Sequence, residues 1–218
     1  MENNSLKDKL RKRWDELMQR LACENKKNIS DRLFDWIVVN YSKPHRAYHN
    51  LDHIQQCLDE FDHVRLLAKD ANAVELAIWY HDVVYDPERD DNEERSSINA
   101  VGGAALIQES DEFCSVVRDL VRATKHVKTP ADHDAKIIVD VDLSILGQPD
   151  EVFDEYEDNI RKEYHFVPDD FFRAGRLNVL QSFLDRPSIY YTDFFRTKYE
   201  EQARRNLQRS IEKLKRPD

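Results

Sequence analysis

Four glycines in 218 residues is the feature that most restricts what this chain can fold into, since ordinary usage of about 7% would supply about 15. Tight turns consume glycine wherever φ must be positive, so a barrel or sandwich of many short strands is disfavoured. Gly102, Gly103, Gly147 and Gly175 also fit neither a dinucleotide fingerprint nor a phosphate loop. The expectation is an all-α chain with few strained backbone positions.

Apolar spacing bears on the same question. Leu6, Leu10, Trp14, Leu17, Met18 and Leu21 follow helical spacing. A second helix, capped by Ser30 or Asp31, carries Leu33, Phe34, Ile37 and Val38 to about Tyr41. A third starts near Asn50 with Ile54, Cys57, Leu58, Phe61 and Val64 on one stripe. The fourth, Ala71 to Asp82, is apolar on most faces and is expected to cross the core. Further helices are read from about Asn92 to Gln108, Glu112 to His126, Ala135 to Leu146, Pro149 to Tyr164, Asp170 to Leu184 and Asp193 to Leu214. With no linker, repeat or low-complexity tract, the chain reads as one multi-helix domain of about nine to ten helices. The last helix has a length that suits packing within one chain or across a homodimer.

Forty-three acidic against 33 basic residues give a formal charge of −10, a field that opposes broad binding to nucleic-acid duplexes or anionic membranes. Apolar runs such as Trp36-Ile37-Val38-Val39 are too short to span a bilayer. Met1-Glu2-Asn3-Asn4 lacks the layout of a secretory leader. Cys23, Cys57 and Cys114 form no paired motif and read as small buried hydrophobes in a reducing compartment. These readings point to a cytoplasmic protein.

Candidate chemistry lies in the histidines. With 8 His and 26 Asp, about one His-Asp dipeptide is expected by chance, and the chain has two. His133-Asp134 follows the polar stretch Thr129-Pro130-Ala131-Asp132 and reads as surface loop. His81-Asp82 ends the most apolar helix, where an unpaired charge is expensive and a divalent metal is one available partner. His49 and His53, four apart, share a face at a helix entrance. Asp140 and Asp142, two apart, point in roughly opposite directions on a helix, so only one should face a metal.

Read together, His53, His81-Asp82 and Asp142 resemble the H…HD…D signature of the HD-domain superfamily of metal-dependent phosphohydrolases. Tyr48-His49-Asn50-Leu51-Asp52-His53 and Asp142-Leu143-Ser144 are similar to the YHNxxH and DLS segments of its cyclic-nucleotide phosphodiesterases. Trp79 to Pro87, Asn92 to Ser96, Asp140 to Gly147 and Ile160 to Tyr164 resemble a small stand-alone subfamily of HD phosphohydrolases. The resemblance implies an HD core over about 46–147, with helices of about 149–214 packed on it. It implies His53, His81, Asp82 and Asp142 as ligands of a divalent metal (Mn, Mg, Fe, Co, Ni or Zn) and His49 as proton donor. His81 to Asp86 also resembles the HDxxED segment of alarmone hydrolases, which makes Asp86 either a water-positioning group or a turn cap before Pro87. The phosphodiesterases carry a further histidine shortly after the His-Asp pair; Tyr85 and its neighbours supply none.

The expected activity is hydrolysis of a small phosphate ester, most plausibly a nucleotide. Alternatives are a guanosine-tetraphosphate-type pyrophosphohydrolase, a non-hydrolytic nucleotide-sensing module and an HD-type di-iron oxygenase. Cations for the phosphate are sought in Lys125, His126, Arg161 and Arg176, with Tyr164 three residues from Arg161 and on its face.

Overall fold

The computed structural model describes residues 2–21, 23 and 26–216; Met1, from the segment read for a leader, lies outside them. Ten α-helices and no strand are present among the described residues. None of these helices is long and apolar enough to cross a membrane. The chain divides into two compact units, Met1–Val139 and Asp140–Asp218.

The first unit contains α1 (Glu2–Arg20), α2 (Lys27–Tyr41), α3 (Leu51–Val64), α4 (Ala71–Tyr80), α5 (Asn92–Leu106), α6 (Asp111–Ala123) and most of α7 (His133–Asp142). Its core forms around α4, whose residues Ala73 to Tyr80 are all buried. Trp79 meets Trp14 edge-on at 5.4 Å and Phe34 at 6.1 Å. The one acidic residue in that stretch, Glu75, is fully buried and accepts from Arg13 at 2.7 Å, Arg20 at 2.6 Å and Arg65. Burial of a carboxylate on this scale is tolerable because its oxygens are paired.

Helix ends depart from the expected ones where a tertiary donor or acceptor intervenes. Ser30 does not cap α2, which begins at Lys27, because the Trp14 indole N–H donates to its hydroxyl at 2.9 Å. Helix α4 stops at Tyr80, and the Asp82 N–H donates to the Tyr41 hydroxyl at 3.1 Å. Helix α6 stops at Ala123, and His126 sits at φ 58°, the left-handed conformation in which a helix terminates. His133-Asp134 corrects the surface-loop reading: the pair opens α7, and Asp134 is buried. Its carboxylate accepts the Lys69 N–H at 2.9 Å and the Asp70 N–H at 2.8 Å, just ahead of α4.

The second unit holds α8 (Asp150–Glu163), α9 (Asp169–Leu184) and α10 (Asp193–Lys215), preceded by a tight 3-10 segment Leu143–Gly147. A Cβ on Gly147 would lie 2.4 Å from the Tyr199 Cβ, so only glycine permits this crossing with α10. Asn206 locks the same crossing by donating to the carbonyls of Leu146 and Gln148 at 2.9 and 2.8 Å. Asp140 is buried and receives the Tyr191 N–H, the Thr192 N–H and the Thr192 hydroxyl at 2.7–2.8 Å. Burial nevertheless pushes its carboxyl up to about 6, against the pull of those donors.

Candidate metal centre

The loop before α3 and the turn after α4 bring the histidines of the first unit together. Asn50 caps α3, its side-chain oxygen accepting the N–H groups of Asp52 at 2.8 Å and His53 at 3.3 Å. Its amide donates to the Ala47 carbonyl at 3.0 Å, so the loop and the helix entrance are tied by one residue. His53 follows in the first turn of α3 with its side chain almost fully buried. His81 terminates α4, also buried.

The two imidazoles meet with Nε2 atoms 3.0 Å apart. Asp82 Oδ2 lies 3.1 Å from His81 Nε2, 3.7 Å from His53 Nε2 and 4.0 Å from His49 Nε2. His81 Nδ1 is 2.8 Å from the Ile78 carbonyl. A carbonyl only accepts, so that nitrogen carries the proton, and in the neutral form of the ring the Nε2 lone pair is the one left to face the cluster. This is the second bond that orients a metal-ligating histidine. Metal–nitrogen bonds of about 2.1 Å at right angles put neighbouring donor atoms roughly 3.0 Å apart, which is the spacing of His81 Nε2 from His53 Nε2 and from Asp82 Oδ2; the third pair, His53 Nε2 and Asp82 Oδ2, is wider at 3.7 Å.

Cys57 is the member that sequence reasoning missed. It stands one turn after His53 on α3, buried, with Sγ 3.7 Å from His53 Nε2, and it groups with His53 and His81 as a set of ligand atoms within 4.8 Å of one another. The signal was available in the spacing of four between His53 and Cys57, but a cysteine on an apolar stripe reads first as packing. Arg46 was missed too. Its buried guanidinium donates to the carbonyls of His49 at 2.8 Å, Asp82 at 2.7 Å and Val83 at 3.0 Å. It thus joins the two segments that carry the cluster, and it lies against the faces of Tyr41 and Tyr85.

The remaining candidates separate by location. His49 is partly exposed at the edge of the cluster, stacked on Tyr85 with centroids 4.1 Å apart. Asp86 is exposed, and its carboxylate accepts the Glu88 N–H at 3.0 Å, a turn-capping bond. Lys125 reaches the Asp90 carbonyl and lies 4.0 Å from Glu93. Burial raises the Glu93 carboxyl, and Asp82 adds to the shift while Lys125 and His126 oppose it. Lys125 and His126 therefore share the electrostatic surroundings of Asp82. In the second unit, Arg161 donates to the Tyr164 and Val167 carbonyls at 2.6 and 3.1 Å and to Asp169 at 2.6 Å, holding the α8–α9 turn. Arg176 pairs with Glu157 and donates to the Tyr156 hydroxyl at 2.8 Å. Asp142 is the last residue of α7 and is half-buried.

Comparison with family models, with curated proteins and with solved structures returns no match to this chain. The geometry therefore carries the functional argument alone. It defines an all-helical protein with a buried histidine–cysteine–histidine group in its first unit that could hold a metal ion.

Proposed function

We propose that this chain is a divalent-metal-dependent phosphohydrolase of the HD type, acting on a small phosphate ester such as a nucleotide. The observation that carries the reading is the convergence of His53 Nε2, His81 Nε2 and Asp82 Oδ2, with the His81 ring fixed from behind by the Ile78 carbonyl. On this reading His53, His81 and Asp82 hold the metal, with Asp142 as the further ligand that the H…HD…D pattern implies. Two imidazoles with a carboxylate and a thiol nearby are a donor set for borderline divalent transition metals, zinc and iron(II) among them, more than for magnesium.

Such a metal supplies Lewis-acid polarisation of a phosphoryl oxygen and an activated water near neutral pH. The chain's own residues supply the rest. His49 stands at the accessible edge of the cluster and donates a proton to the leaving oxygen, general-acid work to which an imidazole is suited. Tyr85 holds the His49 ring flat by stacking. Lys125 and His126 offset phosphate charge beside Glu93, which the net charge of −10 makes necessary. Arg161 is left out of this assignment, since its donors already close a turn.

Metal analysis of the purified protein, followed by a phosphate-release screen across nucleotides with each divalent metal, tests the reading. Expected are bound transition metal at one equivalent or above and metal-dependent release that His81→Ala and Asp82→Ala abolish. Unchanged release in both variants would overturn it. Tight nucleotide binding without turnover under any metal would make the first unit a sensing module instead.

A further inference from the structure

Arg176 is unusual within the second unit. Its side chain is 9% exposed. Nε donates to Glu157 at 3.2 Å, and Nη2 donates to Glu157 and to the Tyr156 hydroxyl. Burial works against its charge, but Tyr156 and Glu157 outweigh burial and keep the guanidinium ionised. Nη1 makes no hydrogen bond to the described residues and is open to solvent, so a donor is available there. The same residue lines a cavity of about 300 Å³ between α8 and α9, whose walls are Ile160, Tyr164, Phe171, Phe172 and Val179.

Gly175 lines the cavity beside it. A helix-interior glycine weakens its helix relative to alanine, and elsewhere in this chain a close neighbour requires one: a Cβ on Gly103 would meet the Tyr80 hydroxyl at 2.3 Å. A Cβ on Gly175 would meet nothing within 4 Å. No packing neighbour needs this glycine, as none needs Gly102; at Gly175, which is exposed, the missing side chain leaves the mouth of the cavity open.

We infer that the second unit has a small-molecule site of its own, in which this cavity takes a planar or branched apolar ligand that presents one carboxylate or carbonyl oxygen to Arg176 Nη1. The volume is at the small end of the range for such sites and excludes a helix or a folded partner. Glu157 already pairs with Arg176, so what Nη1 offers a ligand is one hydrogen-bond donor and not an uncompensated positive charge, and a polyphosphate is not accommodated. Phe171, 74% exposed, stands at the rim where an incoming apolar ring would cover it. The inference rests on residues of the second unit alone and is independent of the metal centre.

The test uses 2-naphthoate titrated into the full chain, read by methyl NMR of Ile160, Val167 and Val179. Saturable shifts at these methyls are expected, with 2-methylnaphthalene, which lacks the acceptor, binding roughly tenfold more weakly or worse. Gly175→Leu should stay folded and lose naphthoate binding. Arg176→Gln should bring the two probes to equal affinity; should it unfold by stranding Glu157, Gly175→Leu and the probe pair decide the matter. Absence of saturable shifts, equal affinity of the two probes for the unaltered chain, or undiminished binding by Gly175→Leu each overturns the site.

Discussion

His81-Asp82 and His133-Asp134 are the same dipeptide, both in the first unit, and they stand at opposite ends of helices. His81-Asp82 closes α4, and His133-Asp134 opens α7. A helix N-terminus offers unpaired N–H groups and the positive end of the dipole; a C-terminus offers carbonyls and the negative end. Asp134 accordingly lies at the start of α7 and accepts two backbone N–H groups ahead of α4. Asp82 is beside carbonyls that Arg46 has already claimed, and its Oδ2 turns to three imidazoles. A carboxylate with backbone donors is structural. One at the wrong helix end needs a cation, and this difference, invisible in the dipeptide, separates a helix tie from a candidate metal ligand.

The largest effect is expected at the metal-facing pair, His81-Asp82. On the proposed reading, Asp82→Ala loses bound metal and lowers phosphate release by about a thousandfold, the several kcal/mol a Lewis acid contributes. Asp134→Ala leaves metal content and the activity per folded molecule intact. Elemental analysis and turnover of the two variants side by side check this, and loss of metal in both would erase the distinction drawn here.

The reverse experiment is a melt. Asp134→Ala removes a buried acceptor from two part-buried N–H groups, at a cost of about 1–2 kcal/mol, and lowers the melting midpoint by roughly 3–8 °C for a chain of this size. Asp82→Ala relieves like charge near Glu93 and is expected to melt at or above the unaltered protein when both are metal-free. A calorimetric scan in chelator ranks the two.

Arg46 uses up the carbonyls that surround Asp82. Arg46→Lys keeps the charge and loses the fork that reaches three carbonyls. The expected result is metal affinity weakened by about tenfold, the lower end of what outer-shell partners contribute, with the melting midpoint lowered by a few degrees as buried carbonyls lose their donor. Competition titration with a chromophoric chelator measures it.

How much of this was legible in the sequence follows the same division. The existence and type of the helices could be read, because apolar spacing of three and four has one meaning over ten or more residues. Their ends could be read in part: Tyr41, Ala71, Asn92, Leu184 and Asp193 fall where the pattern puts them, whereas Ser30 is taken by Trp14 and the Asp82 N–H by Tyr41, residues 16 and 41 positions away. Within the site, His49, His53 and His81-Asp82 stood out by residue type. Arg46 did not, because its partners are carbonyls up to 37 positions away that every residue possesses. Asp134 was misread because composition marks Thr129 to Asp132 as a loop but does not say which distant N–H groups need an acceptor.

The smallest effect concerns Asp132, which supports the structural pair. One of its oxygens accepts the Asp134 N–H at 2.9 Å, and the other meets Lys69 at 2.8 Å. Lys69, and then the Asp134 N–H, hold its carboxyl below the ordinary value. A folded-state pKa below the unfolded one means the contribution is complete above pH 4 or so, where the unfolded chain is ionised as well. It is lost as pH falls through the folded value. Both side chains are more than half exposed, so the pair contributes little, and less still in high salt. Asp132→Asn should therefore unfold at slightly lower urea than the unaltered chain at pH 6, and the gap should close as pH falls toward 3. Urea midpoints at both pH values, at low and high salt, check it. A gap that persists unchanged at pH 3 would show that Asp132 acts through the helix start alone and that its charge is idle.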